Sequence, residues 1–412
     1  MTGMYLSYKS AYYDMVKYVI ISLVVLLSFV GDFRPPWLLF DVIFLISFLY
    51  AVYTKTLNKD LVSMFVLLGI NLIFLGIQIY YFNTSILLSL RFYYNFRFIF
   101  IIYFLAQLIR NGDIDIKKLL HTIFIIGCIQ FFINIPFIVR EYLIDPADID
   151  EHNGLFGNGS SHATGIFWTF LINYGLLKDK YKILTPTLIL IAIFLSSLTD
   201  NKFFYVAMAF SIGTYMVKNP RLIYQTAVLV VLAIIILVIS YKTIVEFQVF
   251  VDKAIFRTFD LYLNSDNNEK AERSLISRYI LTLHESYSFG HGLGTVSHIL
   301  NMDGKLINIL LHISMNEMFI QVFETGFFNT FVLIFTFAYA YSYFWKENRV
   351  LVTAVMFILL PLMFYYSRFI TDPRQIFFFT LIIISYSIPD LIEKKPVKKV
   401  IRRNPQIRQV PA

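Results

Sequence analysis

Long apolar runs, separated by short charged connections, constrain this chain more than any motif does. The stretches "YVIISLVVLLSFV" (18–30), "SMFVLLGINLIFLGIQIYYF" (63–82) and "LILIAIFLSSL" (188–198) carry no charge at all. A helix that crosses a bilayer needs about 20 such residues. Segments of this kind fall at 17–31, 37–54, 61–82, 91–109, 118–139, 163–178, 182–199, 202–217, 222–241, 312–344, 350–366 and 375–390. A chain that is 58% hydrophobic and 15% charged, with a mean hydropathy of +0.67, lies outside the composition of aqueous domains. The expectation is an all-α polytopic integral membrane protein of about 12 transmembrane helices.

Lys and Arg collect on the cytoplasmic side of such proteins. An N-terminus inside places Lys55, Lys59, Arg110, Lys117, Lys118, Lys178, Lys218, Arg221 and Lys346 on that side, together with the tail "KKPVKKVIRRNPQIR". Both termini are then cytoplasmic, and the acids are in excess on the opposite face. The organisation read from this is a single helical bundle over 1–390 and a basic cytoplasmic tail over 391–412, suited to anionic lipid headgroups and not to nucleic acid. The first apolar segment reads as a retained helix, because no small-residue cleavage site follows it. Cys128 is the one cysteine and sits in an apolar run, so neither a disulfide nor a cysteine metal site is expected.

Two outward loops are long. The first, about 140–162, is acidic and glycine-rich and is expected to lie over the outer mouth of the bundle. The second, about 242–311, falls between helices 9 and 10. In it Leu275, Tyr279 and Leu283 stack at helical spacing, as in a surface-lying amphipathic helix.

Ionisable groups at membrane depth are costly and mark functional candidates. Arg91 and Arg97 open the fourth segment at its outer end, Asp200 and Lys202 occupy the short turn "LTDNKFF", and Arg368, Asp372 and Arg374 fill the last outer turn. With Arg273 and Arg278 they make a ring of cations suited to a pyrophosphate, since guanidinium pairs bidentately with phosphate oxygens and keeps its charge. Snorkelling to the headgroups is the alternative for each one singly. His312 opens the tenth segment, and Glu317, Gln321 and Glu324 follow as a stripe at helical spacing. That stripe faces either a wet cavity or a hydrogen-bonded seam between helices. His312 has the chemistry of a general base.

His284, His291, His298 and His312 recur at multiples of seven, but glycines at 290, 292 and 294 interrupt any helix that would align them, so no metal site and no cofactor are expected. The glycine run reads instead as a sharp turn that lets the outer loop descend into the bundle. "DID" at 113–115 and at 148–150 has the spacing of metal-binding acids, a weak signal in a loop.

Three stretches carry a resemblance to a known family: "HNGLFGNGSSHATGIFW" (152–168), "SSLTDNK" (196–202), and "RYILTLHESYSFGHGLG" with the following "HISMNEMFIQVFETG". In their order they resemble the O-antigen polymerases (Wzy-type) of the O-antigen polymerase/ligase family. Lys stands at 202 where that family usually has Arg, and Ile313 follows His312 where it often has Asn. The resemblance implies an inverting, metal-independent glycosyltransferase of the bacterial inner membrane that joins undecaprenyl-pyrophosphate-linked oligosaccharides at the periplasmic face. It implies that Lys202 and Arg278 or Arg273 neutralise the leaving pyrophosphate, and that His312 orients or deprotonates the attacking hydroxyl, with Glu317 beside it. Arg91, Arg97, Arg368, Arg374, Glu324 and His291 are then substrate-binding candidates. A chain-length regulator protein is a possible partner. The alternatives are an O-antigen ligase and a transporter or flippase for the same lipid-linked saccharide; the latter predicts charge through the bilayer midplane and ideally an internal repeat.

Overall fold

A computed structural model of the chain describes residues 2–29, 41–42, 45, 59–82, 97–110, 115–144, 154–156, 161–178, 181, 183–198, 204–205, 207–208, 241–243, 248, 290, 321–322, 324–345, 349–366 and 373–387. The described residues are helical and contain no strand. The helices are α1 (Thr2–Phe29), α2 (Lys59–Phe82), α3 (Arg97–Arg110), α4 (Ile116–Ile144), α5 (Ser161–Leu177), α6 (Leu184–Leu198), α7 (Phe327–Ser342), α8 (Arg349–Tyr366) and α9 (Pro373–Ser387). A single 3-10 turn, Gly154–Phe156, lies between α4 and α5.

Two described stretches are long and apolar enough to cross a membrane, Val62–Tyr81 and Ile116–Ile144, and less than half of each is buried within the protein. The core helix of an aqueous domain would be buried over most of its length. The distribution of polar side chains has the same sense. Asn71, Gln78, Gln130, Asn134, Asn173, Asn329 and Gln375 are buried, while Ile73, Ile129, Phe132, Leu190, Phe194, Leu351 and Ile358 face outward. In hydrocarbon, side-chain amides gain by meeting one another inside and alkyl groups lose nothing outside. The amides do join helices. Asn173 donates to Ser385 Oγ at 2.6 Å between α5 and α9, and Gln130 donates to the Ser28 carbonyl at 2.8 Å between α4 and α1.

Contacts between the helices fix their register. The Gln78 amide, near the Phe82 end of α2, donates to the Glu324 carbonyl at 3.1 Å, so α7 starts at that end and runs back along α2. The far end of α7 rests Tyr343 on Tyr103 of α3, centroids 4.8 Å apart, while Phe100 meets Phe65 at 5.4 Å. α3 therefore runs in the same direction as α7. At about 1.5 Å per residue, Arg97 lies roughly 20 Å below Phe82. α8 returns antiparallel to α7, with Phe357 against Phe331 at 4.7 Å and the Arg349 guanidinium 3.9 Å from the Tyr343 ring.

α9 is anchored on α7 through Tyr341, whose hydroxyl lies 3.3 Å from Thr380 Oγ1. The connection 367–372 reaches at most about 3.6 Å per residue. Only an α9 running parallel to α7 lets that connection close. Arg374, less than two turns before Thr380, then comes to the same level as Arg97.

Candidate functional site

Arg97 and Arg374 form the centre of the site. Arg97 is only 5% exposed, its Nε lies 3.0 Å from Asp41 Oδ1, and its guanidinium stands 4.8 Å from the Phe98 ring centroid. Asp41 belongs to the apolar segment 37–54, so the ion pair ties that segment to α3. The sequence reading placed both arginines at outer helix ends. By the register above, both lie roughly 20 Å in from the Phe82 end; residues 83–96 and 367–372, which precede α3 and α9, lie outside the described residues. Arg97 falls level with the middle of Val62–Tyr81, and α3 and α9 touch.

Arg374 reaches the carbonyl of Phe156, with Nη1 at 3.4 Å. The loop 140–162 was expected to lie over the mouth, yet its 3-10 turn enters the bundle and Phe156 is fully buried. Phe156 packs on Phe167 of α5 and Phe378 of α9, with centroids 5.7 and 6.2 Å apart. Non-helical backbone survives at such depth only where its polar groups are satisfied by protein or water. Here protein side chains do it: the Gly154 N–H donates to Glu141 Oε2 and the Leu155 N–H to Asn134 Oδ1, each at 2.7 Å. Gly154 has φ +56, and a Cβ there would collide with Asn134 Oδ1, so glycine is required twice over.

The glycine run and the acidic stripe meet at a second point. Gly290 is buried with φ +75 and sits against the backbone of Glu324, Thr325 and Gly326. The segment 312–344, read as one apolar run, is divided at Gly326, which has φ +85 and precedes the first residue of α7. Thr325 and Thr330 interlock across the break, Oγ1 to Oγ1 at 3.1 Å, and the Thr330 hydroxyl donates to the Gly326 carbonyl at 2.8 Å. Glu324 is partly buried, and its carbonyl accepts the Gln78 bond.

Of the candidate catalytic and substrate-binding residues, the structure thus describes Arg97, Arg374 and Glu324. It brings the first two to one depth and ties the third to α2. His312, Arg278, Arg273, Lys202, Glu317, Arg91, Arg368 and His291 lie outside the described residues, as do His284, His298 and the acids at 148–150.

Asp115, the last acid of the other "DID", has a structural explanation. Its Oδ1 accepts the Lys118 N–H at 3.2 Å, capping α4, and its Oδ2 pairs with Lys118 Nζ at 3.4 Å. The backbone hydrogen bond from Lys118, aided by that ammonium, holds the carboxyl below its ordinary value of 3.8.

Asp41, Gln78, Asn134, Glu141 and Gly154 were missed as site residues. A polar residue in an apolar run (Asp41, Gln78, Asn134) and an Asn-Gly pair before Leu-Phe (153–156) were the available signals. No family model matches the chain, and no curated protein matches it either.

Proposed function

We propose that this chain is a polytopic membrane protein that elongates a lipid-linked glycan, transferring one undecaprenyl-pyrophosphate-linked oligosaccharide to another on the outer side of the bacterial inner membrane. The observation that carries the reading is the pair of guanidinium groups, Arg97 and Arg374, at one level inside a bundle whose outward faces are apolar. A cation held there is expensive, and an anionic substrate drawn into the bundle is what it would serve. The resemblance of 152–168, 196–202, 278–294 and 312–326 to the O-antigen polymerases supplies the chemistry. A transferase working outside the cytoplasm has no nucleotide sugar, so the activated donor must come attached to lipid. Fixed cations that meet charge as it develops on the departing pyrophosphate are then the main catalytic effect. In this reading Lys202, Arg273 and Arg278 meet the pyrophosphate, His312 takes the acceptor proton with Glu317 beside it, and Arg97 and Arg374 hold substrate deeper in the bundle.

One observation favours a second reading, a flippase for the same lipid-linked saccharide: Arg97 and Asp41 lie near the middle of the candidate span, where a translocation path needs polar groups. Deletion of the gene separates the readings. Loss of the polymerase leaves single repeat units capping the lipopolysaccharide, whereas loss of a ligase removes even those. A flippase changes the sidedness of lipid-linked glycan in sealed vesicles without changing its length. Unchanged glycan length on deletion refutes polymerase and ligase alike.

A further inference from the structure

The contact between Gly290 and the chain before α7 is a close one. It is backbone against backbone. A Cβ on Gly290 would stand 2.5 Å from the Glu324 carbonyl oxygen and 2.7 Å from the Thr325 carbonyl carbon, and closer still to the Gly326 nitrogen. None of those atoms belongs to a side chain that could turn aside. The surface that receives Gly290 is itself held from three directions. Gln78 of α2 binds the Glu324 carbonyl, the Gly326 N–H donates to the Val322 carbonyl at 2.9 Å, and Thr325 Oγ1 donates to the Gln321 carbonyl at 2.7 Å. Gly290 belongs to the outer segment 242–311, which also contains Arg273 and Arg278.

We propose that the Gly290–Gly326 contact is a positioning junction: it clamps the outer segment onto the start of α7 and so sets where that segment's cations stand relative to the bundle. Gly290 is a positioning residue and touches no substrate. Its importance for catalysis rests on the glycan-transfer reading above. Its importance for holding the segment does not.

The experiment has two arms, each on the full-length protein. In the first, inverted and right-side-out membrane vesicles carrying wild type, Gly290→Ala, Gly290→Asn or Gly69→Ala are treated with a protease, and cleavage within 242–311 is followed. Gly290→Ala is expected to be cleaved several-fold faster than wild type, and Gly69→Ala, where a Cβ meets no neighbour, at the wild-type rate. Asparagine tolerates positive φ, so Gly290→Asn is informative: it fails as completely as alanine if the obstacle is the Cβ. Cleavage of Gly290→Ala at the wild-type rate overturns the junction whatever the protein does.

In the second arm, the same proteins in proteoliposomes receive a lipid-linked repeat unit. Misplacing a group by about 1 Å costs up to about 10²-fold in rate. The expected result is a fall in kcat of about tenfold or more with KM changed little. Should Gly290→Ala fail to accumulate, Gln78→Leu, which removes the side-chain bond to the Glu324 carbonyl, gives a smaller change in the same direction. Faster cleavage with unchanged kcat overturns the positioning role. If wild type itself makes no polymer, the transfer reading falls, and the cleavage arm alone decides whether Gly290 holds the segment.

Discussion

Replacing Asp41 by alanine removes the carboxylate from a guanidinium that is 5% exposed and 3.0 Å away. Breaking a buried pair on one side costs about 3–5 kcal/mol, much of it the expense of a charge left in a poor solvent. Asp41 is itself 33% exposed, so water offsets part of the loss and the lower end, about 3 kcal/mol, is expected. Asp41→Asn keeps an acceptor for Arg97 but loses the charge, and charge-assisted hydrogen bonds are about twice as strong as neutral ones; its cost is about half. The double variant Asp41→Leu with Arg97→Met removes both charges and returns stability to within about 1 kcal/mol of wild type. Reversible unfolding in mixed micelles measures all three. Glycan length measured on the same variants then separates two roles for Arg97. A stable double variant that makes no polymer shows that the guanidinium serves substrate. One that makes full-length polymer shows that the pair only ties 37–54 to α3. Asp41→Ala as stable as wild type, or a double variant no better than Asp41→Ala, refutes the claim that the pair is a buried energetic unit.

His312→Ala is expected to abolish polymer without lowering the amount of protein in the membrane. Long-chain glycan at wild-type levels, read on a gel, refutes the base. Arg278→Ala should behave likewise, with Arg278→Lys partly active, because lysine keeps the charge but loses the bidentate fork. Gly154→Ala forces alanine into φ +56 and onto Asn134 Oδ1, the acceptor of the Leu155 N–H. Strain of about 1–2 kcal/mol and a disturbed buried hydrogen bond of about 1–3 kcal/mol should lower the melting temperature clearly, whereas Gly69→Ala, where a Cβ meets no neighbour, should not. Asp115→Ala is expected to cost about 1 kcal/mol through loss of the α4 cap. The Asp115 carboxyl is held below 3.8, so its contribution is complete above that pH and is lost as acid carries the pH down through its lowered value. A titration of unfolding free energy on wild type and variant should show the two curves converging only in acid.

Much of the helical layout was legible because hydropathy reports it directly. The segment 61–82 became Lys59–Phe82, 350–366 became Arg349–Tyr366 and 375–390 became Pro373–Ser387. Hydropathy does not report a dihedral, so the division at Gly326 was invisible inside an apolar run; the Glu-Thr-Gly sequence was the one hint. The burial of Phe156 was invisible for a different reason. What makes a polar loop tolerable inside the bundle is Asn134, Glu141 and Arg374, and the last is 218 residues away from the carbonyl that it binds. The segments 37–54, 202–217 and 222–241 fall almost wholly outside the described residues.

The depth of Arg97 and Arg374 changes what the charge pattern can mean. Read along the sequence, cations beside apolar runs look like anchors at headgroup level, where exposure to water keeps each pair weak. On the proposed membrane reading, a guanidinium level with the middle of Val62–Tyr81 has no headgroup to reach, and its field is felt over longer distances because little solvent screens it. The protein answers part of that charge with Asp41 and part with the Phe156 carbonyl. The contact of Arg97 with Asp41 is charged on both sides, whereas that of Arg374 with the Phe156 carbonyl is charged on one. A phosphate oxygen would displace the Phe156 carbonyl more readily than it would displace a carboxylate from Arg97. On the proposed function, this ranks Arg374 before Arg97 among the buried groups that would meet substrate.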